Sequence, residues 1–147
     1  MPKFGKASLQ RLATCHPDLQ KVLKEAIKYY DFAVIEGYRT KEEQARKVEQ
    51  GVSKTMNSKH LLRYCPEYDA QYSFAVDVLP YFKDAPHTDW SDREEFCVLA
   101  GLICGIAKIY KAQGAIEHNI RWGGNWGFGK RIKDNEFFDG PHFELVD

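Results

Sequence analysis

The stretch FAVDVLPYF, residues 74–82, has the composition of a buried β-strand with one acidic residue, Asp77, near its centre. Most of its other residues are β-branched, aromatic or aliphatic, the types that favour strands. A carboxylate buried in such a strand must be paired with another group or bind a metal. Because side chains alternate between the two faces of a strand, Asp77 could equally face solvent. The strand alone leaves both interpretations open.

Outward from this strand, strand-like and helical segments follow one another without strict alternation. Further strands are predicted within FAVIEGY (32–38), AIEHNIRWGGNW (115–126) and HFELV (142–146). Apolar residues at helical spacing predict one helix beginning at Pro17 and another from about Asp92 to Gln113. The pattern of a parallel sheet is missing. We therefore predict an α+β fold: a small, largely antiparallel sheet with helices packed on one side, in a single domain over residues 1–147.

Capping residues indicate where helices begin and end. Ser8, Thr40 and Ser91 are the predicted N-caps, and Glu43 would complete a capping box with Thr40. Gly51 is the predicted end of the helix that begins after Thr40, and Gly114 is the predicted end of the helix that begins after Ser91. Residues 52–73 show no periodicity, so we expect a long loop there, of the kind that is usually functional or mobile.

Composition excludes several classes of protein. The 147 residues carry 21 Lys and Arg and 21 Asp and Glu, so the net charge of zero gives no electrostatic argument for binding nucleic acid. No apolar run reaches the roughly 20 residues of a membrane span. The N-terminus lacks the apolar segment of a secretory signal, so we expect synthesis and initial retention in a cytoplasm. The four cysteines form no CxxC pair, and we expect free thiols.

Two histidines could join Asp77 in a metal site. His60 lies in the long loop and His142 begins the last predicted strand. Taken singly, each histidine is more often an ordinary surface residue. Taken together with Asp77, they would form a three-ligand zinc site with an open fourth position, the form that catalytic zinc takes.

The remaining histidines are rivals for that role. His16 precedes a helix-starting proline and His87 follows a proline in a polar loop, so both are expected to be exposed. His118 lies in an apolar strand-like segment, and the sequence alone does not exclude it as a ligand.

The segment DGPHFEL, residues 139–145, places an acid and a histidine on either side of Gly140-Pro141. Residues three apart across a turn have Cα atoms within about 7 Å. His142 could therefore bind a metal while Asp139 acts as general base on the attacking water. The alternative is that Asp139 only starts the turn, which aspartate commonly does.

Five segments, in this order, resemble the zinc peptidases that cut peptidoglycan stem peptides: EGYRTKEEQ (36–44), GVSKTMNSKH (51–60), AVDVLPY (75–81), RWGGNW (121–126) and GPHFEL (140–145). That family includes D-alanyl-D-alanine carboxypeptidases and dipeptidases, and phage endolysins that cleave L-alanyl-D-glutamate. The compact endolysin branch is the most similar, because its members also have an acid three residues before the last histidine.

The resemblance implies a role for each matching residue. His60, Asp77 and His142 would be the zinc ligands, and Asp139 the acid that activates water. Arg39 would bind substrate and stabilise charge at the scissile carbonyl, a task that suits a guanidinium group.

Weaker matches imply further contacts with substrate. Ser58 matches a family serine that contacts substrate, Gln44 matches a family position near Arg39, and Trp122 and Trp126 match an aromatic turn near the cleft. Ser58 could instead be an ordinary loop residue, and the tryptophans could pack in the core.

One feature departs from the family pattern. The family usually has six residues between its first histidine and its aspartate, whereas sixteen separate His60 from Asp77 here. Most of LLRYCPEYDAQY, residues 61–72, must therefore loop out between two ligands.

The resemblance implies a monomeric phage endolysin, a zinc endopeptidase that acts on the L-alanyl-D-glutamate bond of peptidoglycan stem peptides. It would accumulate in the host cytoplasm and reach the periplasm and cell wall at lysis, released by a separate membrane-permeabilising protein. A D-alanyl-D-alanine carboxypeptidase is one alternative, although it would normally need export. A non-catalytic zinc-containing binding module, such as the hedgehog signalling domain, is the other, and the pairing of Asp139 with Arg39 argues against it.

Overall fold

The computed structural model describes residues 1–51, 53, 56–126, 131–134 and 137–147. In these ranges the helices are α1 (Lys6–Leu12), α2 (Pro17–Ala26), α3 (Lys41–Glu49) and α4 (Arg93–Ala112). The strands are β1 (Phe32–Glu36), β2 (Leu62–Cys65), β3 (Ala70–Ser73), β4 (Ala75–Pro80), β5 (Asn119–Trp122) and β6 (His142–Val146). Two short 3-10 helices lie at Pro66–Tyr68 and Ile132–Asp134.

Four of the strands form one sheet in the order β1-β4-β6-β5, and every neighbouring pair is antiparallel. Strands β2 and β3 form a separate two-stranded sheet. The predicted α+β class with a largely antiparallel sheet is therefore confirmed. The strand that contains Asp77 is one of the two central strands.

The two faces of the four-stranded sheet differ sharply, because side chains alternate along each strand. The apolar face joins the hydrophobic core through Val34, Val76, Val78, Ile120, Trp122, Phe143 and Leu145. Buried residues of α2 and α4, among them Leu19, Leu23, Leu99 and Ile103, belong to the same core. The other face carries Glu36, Asp77, Arg121, His142 and Glu144. Strand register places Asp77 opposite both Glu36 and His142, and Arg121 opposite Glu144.

Several predicted helix ends are confirmed and two are wrong. The Thr40 hydroxyl accepts a hydrogen bond from the Glu43 N–H at 3.0 Å, and Gly51 has the positive φ of a C-terminal cap. Helix α4 is capped by Asp92 rather than by the preceding Ser91. Ser8 lies inside α1, where its hydroxyl accepts a hydrogen bond from the Val34 N–H and ties the helix to β1.

The prediction of a loop over residues 52–73 is wrong in its second half, because β2 and β3 pair there as a hairpin. The hairpin begins just after His60 and ends just before β4. Its ends are joined by a hydrogen bond of 2.8 Å from the Phe74 N–H to the Lys59 carbonyl. The inserted residues thus form a closed hairpin, and the residues on either side of it, Lys59 and Phe74, remain adjacent. Val52, Lys54 and Thr55, in the first half of the segment, lie outside the described residues.

All four cysteines have free thiols, as predicted. Of the helices in the described ranges, none is both long enough and apolar enough to cross a membrane.

Candidate active site

The structure brings His60, Asp77 and His142 together on the polar face of the sheet. Asp77 and His142 face each other on adjacent strands, and His60 reaches them from the turn that precedes the hairpin. Asp77 Oδ1 lies 3.3 Å from His60 Nε2 and 3.2 Å from His142 Nδ1. The three residues expected to be ligands are therefore neighbours in space despite the sixteen residues between His60 and Asp77.

Hydrogen bonds on the far side of each ring decide what faces Asp77. His60 Nδ1 lies 2.7 Å from the Gly37 carbonyl oxygen, and His142 Nε2 lies 2.9 Å from Glu144 Oε1. Both oxygens are acceptors, so these two nitrogens carry the protons of neutral rings. The opposite nitrogens then present lone pairs to a carboxylate. Such a cluster of acceptors is stable only around a cation.

The cation could be a proton or a metal ion. Burial alone would lower the pKa of His142, but its hydrogen bonds to Asp77 and Glu144 raise that pKa to about 9. A proton on His142 would satisfy Asp77. It would still leave His60 Nε2, which is buried and has no hydrogen-bond partner in the part of the chain that the structure describes. An unpaired buried nitrogen of this kind needs a partner, and a metal ion provides one.

The donor set and its spacing fit a tetrahedral divalent metal such as zinc. Bonds of about 2.0–2.1 Å in a tetrahedral site hold neighbouring ligand atoms roughly 3.3 Å apart. The two distances from Asp77 Oδ1 match this value, and one ligand atom from each residue lies within 4.8 Å of the others. Two histidines, one carboxylate and no thiolate form the donor set of a catalytic rather than a structural site.

A second group of potential ligands, His16, Asp18 and His118, differs in its hydrogen bonding. His118 Nδ1 donates to Asp18 Oδ2 at 2.8 Å, and the Asp18 N–H donates to His16 Nδ1 at 3.0 Å. Hydrogen bonds thus link these three residues into a network that joins α2 to the start of β5. The prediction of an exposed His16 is wrong: it is 1% exposed, because it caps α2 from within this network. His87 is exposed, as predicted.

Asp139 begins the turn that leads into β6. Its N–H donates to the Gly123 carbonyl at 2.9 Å, and its own carbonyl accepts from the His142 N–H at 3.1 Å. The Gly140–Pro141 bond is trans, since the cis bond of the described chain is Ala85–Pro86. Burial, reinforced by the negative charge of Asp77, raises the pKa of Asp139, so its carboxylate accepts a proton more readily than an exposed one.

Gly123 makes this turn possible. A Cβ atom at residue 123 would lie 2.3 Å from the Asp139 carbonyl oxygen and 3.0 Å from His142 Cβ. Any side chain there would push the turn away from the end of β5. The glycine therefore fixes how closely Asp139 and His142 approach the sheet.

Arg39 is 7% exposed and lies beside Asp77, with 3.8 Å between Nη2 and Asp77 Oδ2. Its guanidinium donates twice to Glu36, at 2.8 and 3.0 Å, and once to Gln44, at 2.6 Å. Burial opposes its charge, but the contacts with Glu36 give Arg39 a raised pKa and keep it cationic. Among the described residues, these contacts use three of the five N–H groups of the guanidinium, and two can serve a ligand. Gln44 thus lies directly beside Arg39, at the position that its family match implied.

The three candidate metal ligands, Asp139 and Arg39 line a cleft of about 950 Å³. Its wall also includes Ser58, the cations Lys47, Lys59 and Arg121, and the aromatic residues Trp90, Trp126, Phe137 and Phe138. Trp122 lies elsewhere: it is 6% exposed, belongs to the core and donates from Nε1 to the Gly140 carbonyl at 2.7 Å. Strand alternation explains the difference, because Trp122 pairs with Phe143 on the apolar face.

Sequence analysis gave Glu144 no place in the site, yet its carboxylate contacts His142 directly. Burial opposes the charge of Glu144, but hydrogen bonds from His142 and Arg121 lower its pKa to about 2. The signal was present in the sequence. His142 and Glu144 are two apart in a strand, and such residues share a face.

Comparisons with known proteins agree with one another. A family model described as phage L-alanyl-D-glutamate peptidase matches residues 1–146. An L-alanyl-D-glutamate peptidase from Escherichia phage T5 is 31% identical over 153 residues, which cover 98% of each chain. A solved structure of the L-Ala D-Glu endopeptidase ChiX from Serratia marcescens superposes with a TM-score of 0.70 at 28% identity, over 98% of this chain and 90% of that one.

Proposed function

The chain belongs to the phage L-alanyl-D-glutamate peptidase family, and we propose that it is a zinc-dependent endolysin that hydrolyses the L-alanyl-D-glutamate bond of peptidoglycan stem peptides. Its homologues are L-alanyl-D-glutamate peptidases and endopeptidases, which identifies it as an endolysin-type peptidoglycan endopeptidase. The observation that carries the zinc proposal is the convergence of His60 Nε2 and His142 Nδ1 on Asp77 Oδ1, in a cleft that also contains Asp139.

His60 Nε2, Asp77 Oδ1 and His142 Nδ1 would hold the metal. When bound, zinc polarises the scissile carbonyl and lowers the pKa of the attacking water. The other nitrogen of each histidine is already committed, to Gly37 for His60 and to Glu144 for His142. Each ring therefore needs no change of tautomer to become a ligand.

Asp139 takes the role of general base. Its carboxylate lines the cleft, and its raised pKa favours acceptance of the proton that the attacking water releases. The same proton can then pass to the leaving amine of the D-glutamate residue. Backbone hydrogen bonds hold the turn on both sides of Asp139 and leave the side chain for this task.

Arg39 stabilises the negative charge that develops on the carbonyl oxygen of the L-alanine residue, or holds a carboxylate of the substrate. Glu36 and Gln44 fix the plane of its guanidinium, so the two remaining N–H groups are oriented before substrate binds. Ser58 lies on the same wall of the cleft, and its hydroxyl accepts a hydrogen bond from the His60 N–H. We propose that it also contacts the stem peptide.

The biological setting follows from the proposed activity. The protein would act as a monomer on the cell wall, after a separate membrane-permeabilising protein has given it access from the host cytoplasm. A D-alanyl-D-alanine carboxypeptidase would use the same chemistry, but the relatives from phage T5 and Serratia marcescens are an L-alanyl-D-glutamate peptidase and an L-Ala D-Glu endopeptidase. A non-catalytic module would have no use for an acid and a buried arginine in the cleft.

Digestion of purified peptidoglycan tests the proposal. Mass spectrometry of the soluble products should reveal stem peptides with a new N-terminal D-glutamate, and glycan that retains L-alanine. Release of free D-alanine alone would identify a carboxypeptidase instead. Saturable binding without any soluble product would identify a binding module. Zinc removal by a chelator should abolish product release, and added zinc should restore it.

A further inference from the structure

Glu144 makes contacts with both of its carboxylate oxygens on the polar face of the sheet. Oε1 lies 2.9 Å from His142 Nε2, and Oε2 lies 2.7 Å from Arg121 Nη2 and 3.4 Å from Lys59 Nζ. The residue is only 6% exposed although it borders the cleft. A carboxylate that is buried to this extent and given two cationic partners is held in one position.

This position decides which nitrogen of His142 faces Asp77. An ionised carboxylate can only accept, so the proton of a neutral His142 must lie on Nε2 and the lone pair on Nδ1. Without Glu144 the ring could place its proton on Nδ1 or flip about its side-chain bond, and either change would remove the lone pair from Asp77. Arg121 and Lys59 contact the other carboxylate oxygen and hold Glu144 in this position.

The ring plane of His142 is held as well. Trp126 stacks on it with ring centroids 5.3 Å apart and an angle of 29° between the planes. The guanidinium of Arg121, which donates to Glu144, also lies 5.3 Å from the Trp126 ring centroid. One arginine thus supports both the edge and the face of the imidazole.

Lys59 extends the same network to the other histidine. It directly precedes His60, and its ammonium group donates to the Leu145 carbonyl of β6 as well as lying near Glu144. The turn that carries His60 is therefore tied to the strand that carries His142 at Glu144. The carboxylate of Glu144 therefore contacts His142 directly and, through Lys59, the turn that carries His60.

We propose that Glu144 is a positioning residue, which fixes the tautomer and orientation of His142 so that its Nδ1 is available to a metal ion. The inference rests on the zinc site proposed above. It also distinguishes Glu144 from Asp139. Both oxygens of Glu144 are occupied by protein groups, so it does not act as the base.

The test measures zinc affinity by competition with a chromophoric chelator in Glu144→Ala and Glu144→Gln. Loss of a carboxylate that supports a metal-binding histidine typically weakens affinity about 10- to 100-fold, and we expect a loss in that range for Glu144→Ala. Glu144→Gln keeps the shape and one acceptor oxygen, so it should fold and lose less. Glu94→Gln, on the exposed first turn of α4, is the matched control and should bind zinc like the wild type.

A second readout separates positioning from general stability. In zinc-free protein with 15N-labelled histidine, at a pH where His142 is neutral, NMR should place the His142 proton on Nε2 in the wild type and show a mixture of the two tautomers in Glu144→Ala. Zinc affinity within twofold of the wild type in both Glu144 variants would overturn the inference. His142→Ala is measured beside them: if it retains zinc, the zinc site itself is wrong, and if it alone loses zinc, only the role of Glu144 is wrong.

Discussion

Replacing Asp139 by asparagine separates catalysis from folding, because the turn does not depend on the side chain of this residue. The two hydrogen bonds that hold the turn, to Gly123 and from His142, use the backbone N–H and C=O of Asp139. Asparagine keeps both and has nearly the same shape. It is also a good turn residue, so the geometry of the cleft should survive.

The environment of the carboxylate determines how Asp139→Asn changes the stability of the zinc-free protein and the rate of hydrolysis. Burial and the charge of Asp77 raise the pKa of Asp139, so at neutral pH its ionised form destabilises the folded protein. The neutral amide removes this penalty, and zinc-free Asp139→Asn should be as stable as the wild type or slightly more stable at pH 7. Hydrolysis should instead fall by about 10²- to 10⁴-fold, the usual contribution of a general base. The loss should appear in kcat more than in KM.

The assay compares release of soluble fragments from dye-labelled peptidoglycan with zinc content and thermal stability in the same preparations. Asp84→Asn, in the exposed loop after β4, is the matched control and should leave all three quantities unchanged. Full hydrolytic activity in Asp139→Asn at full zinc occupancy would refute the general-base role. A fall in stability together with activity would show that the carboxylate supports the turn after all.

Three further substitutions test other parts of the structure. Arg39→Lys keeps a charge but loses the paired contacts with Glu36, so turnover should fall by about 10²-fold while zinc content stays at one per chain; unchanged turnover would make Arg39 purely structural. Asp18 has a lowered pKa in the folded protein because hydrogen bonds from His118 outweigh the effect of its burial. Its contribution to stability is complete above its ordinary pKa of 3.8 and is lost as the pH falls through its lower pKa in the folded protein. Asp18→Asn should therefore cost about 1–3 kcal/mol in denaturant unfolding at pH 7 and show a shallower loss of stability than the wild type below pH 4; parallel pH curves would contradict this. Gly123→Ala should cost about 1–3 kcal/mol by overpacking against the Asp139 turn and should also lower activity; wild-type melting and activity together would show that the turn can move freely.

The parts of the site that sequence could predict are those governed by local rules. Period-two alternation allowed Asp77 to face away from the core, and the spacing of DGPHFEL predicted that Asp139 and His142 share a turn. Both expectations hold because a strand and a tight turn leave few alternatives for where side chains point. The helices with strong signals, such as the one beginning at Pro17, were also predicted correctly.

The failures depend on contacts between distant segments. Ser8 has the chemistry of an N-cap, but its hydroxyl bonds to β1 instead. His16 has the local sequence of an exposed turn residue, but the hairpin places Tyr68 and Tyr72 against its ring, and it is buried. The hairpin itself lacks periodicity because its two strands have four residues each and each strand buries only its last residue. No local pattern reports which segments will cover a residue.

Sixteen residues separate His60 from Asp77, against the usual six in the family, and the fold explains how the two still reach one site. The distance that matters is set at the base of the inserted hairpin, where Phe74 bonds to Lys59 and the chain resumes β4. From there the register of β4 against β6 places Asp77 opposite His142 whatever the length of the insertion. An insertion that closes on itself changes the number of residues between two ligands without changing the space between them. The constraint on this site is therefore the pairing of its strands together with the closure of that one turn.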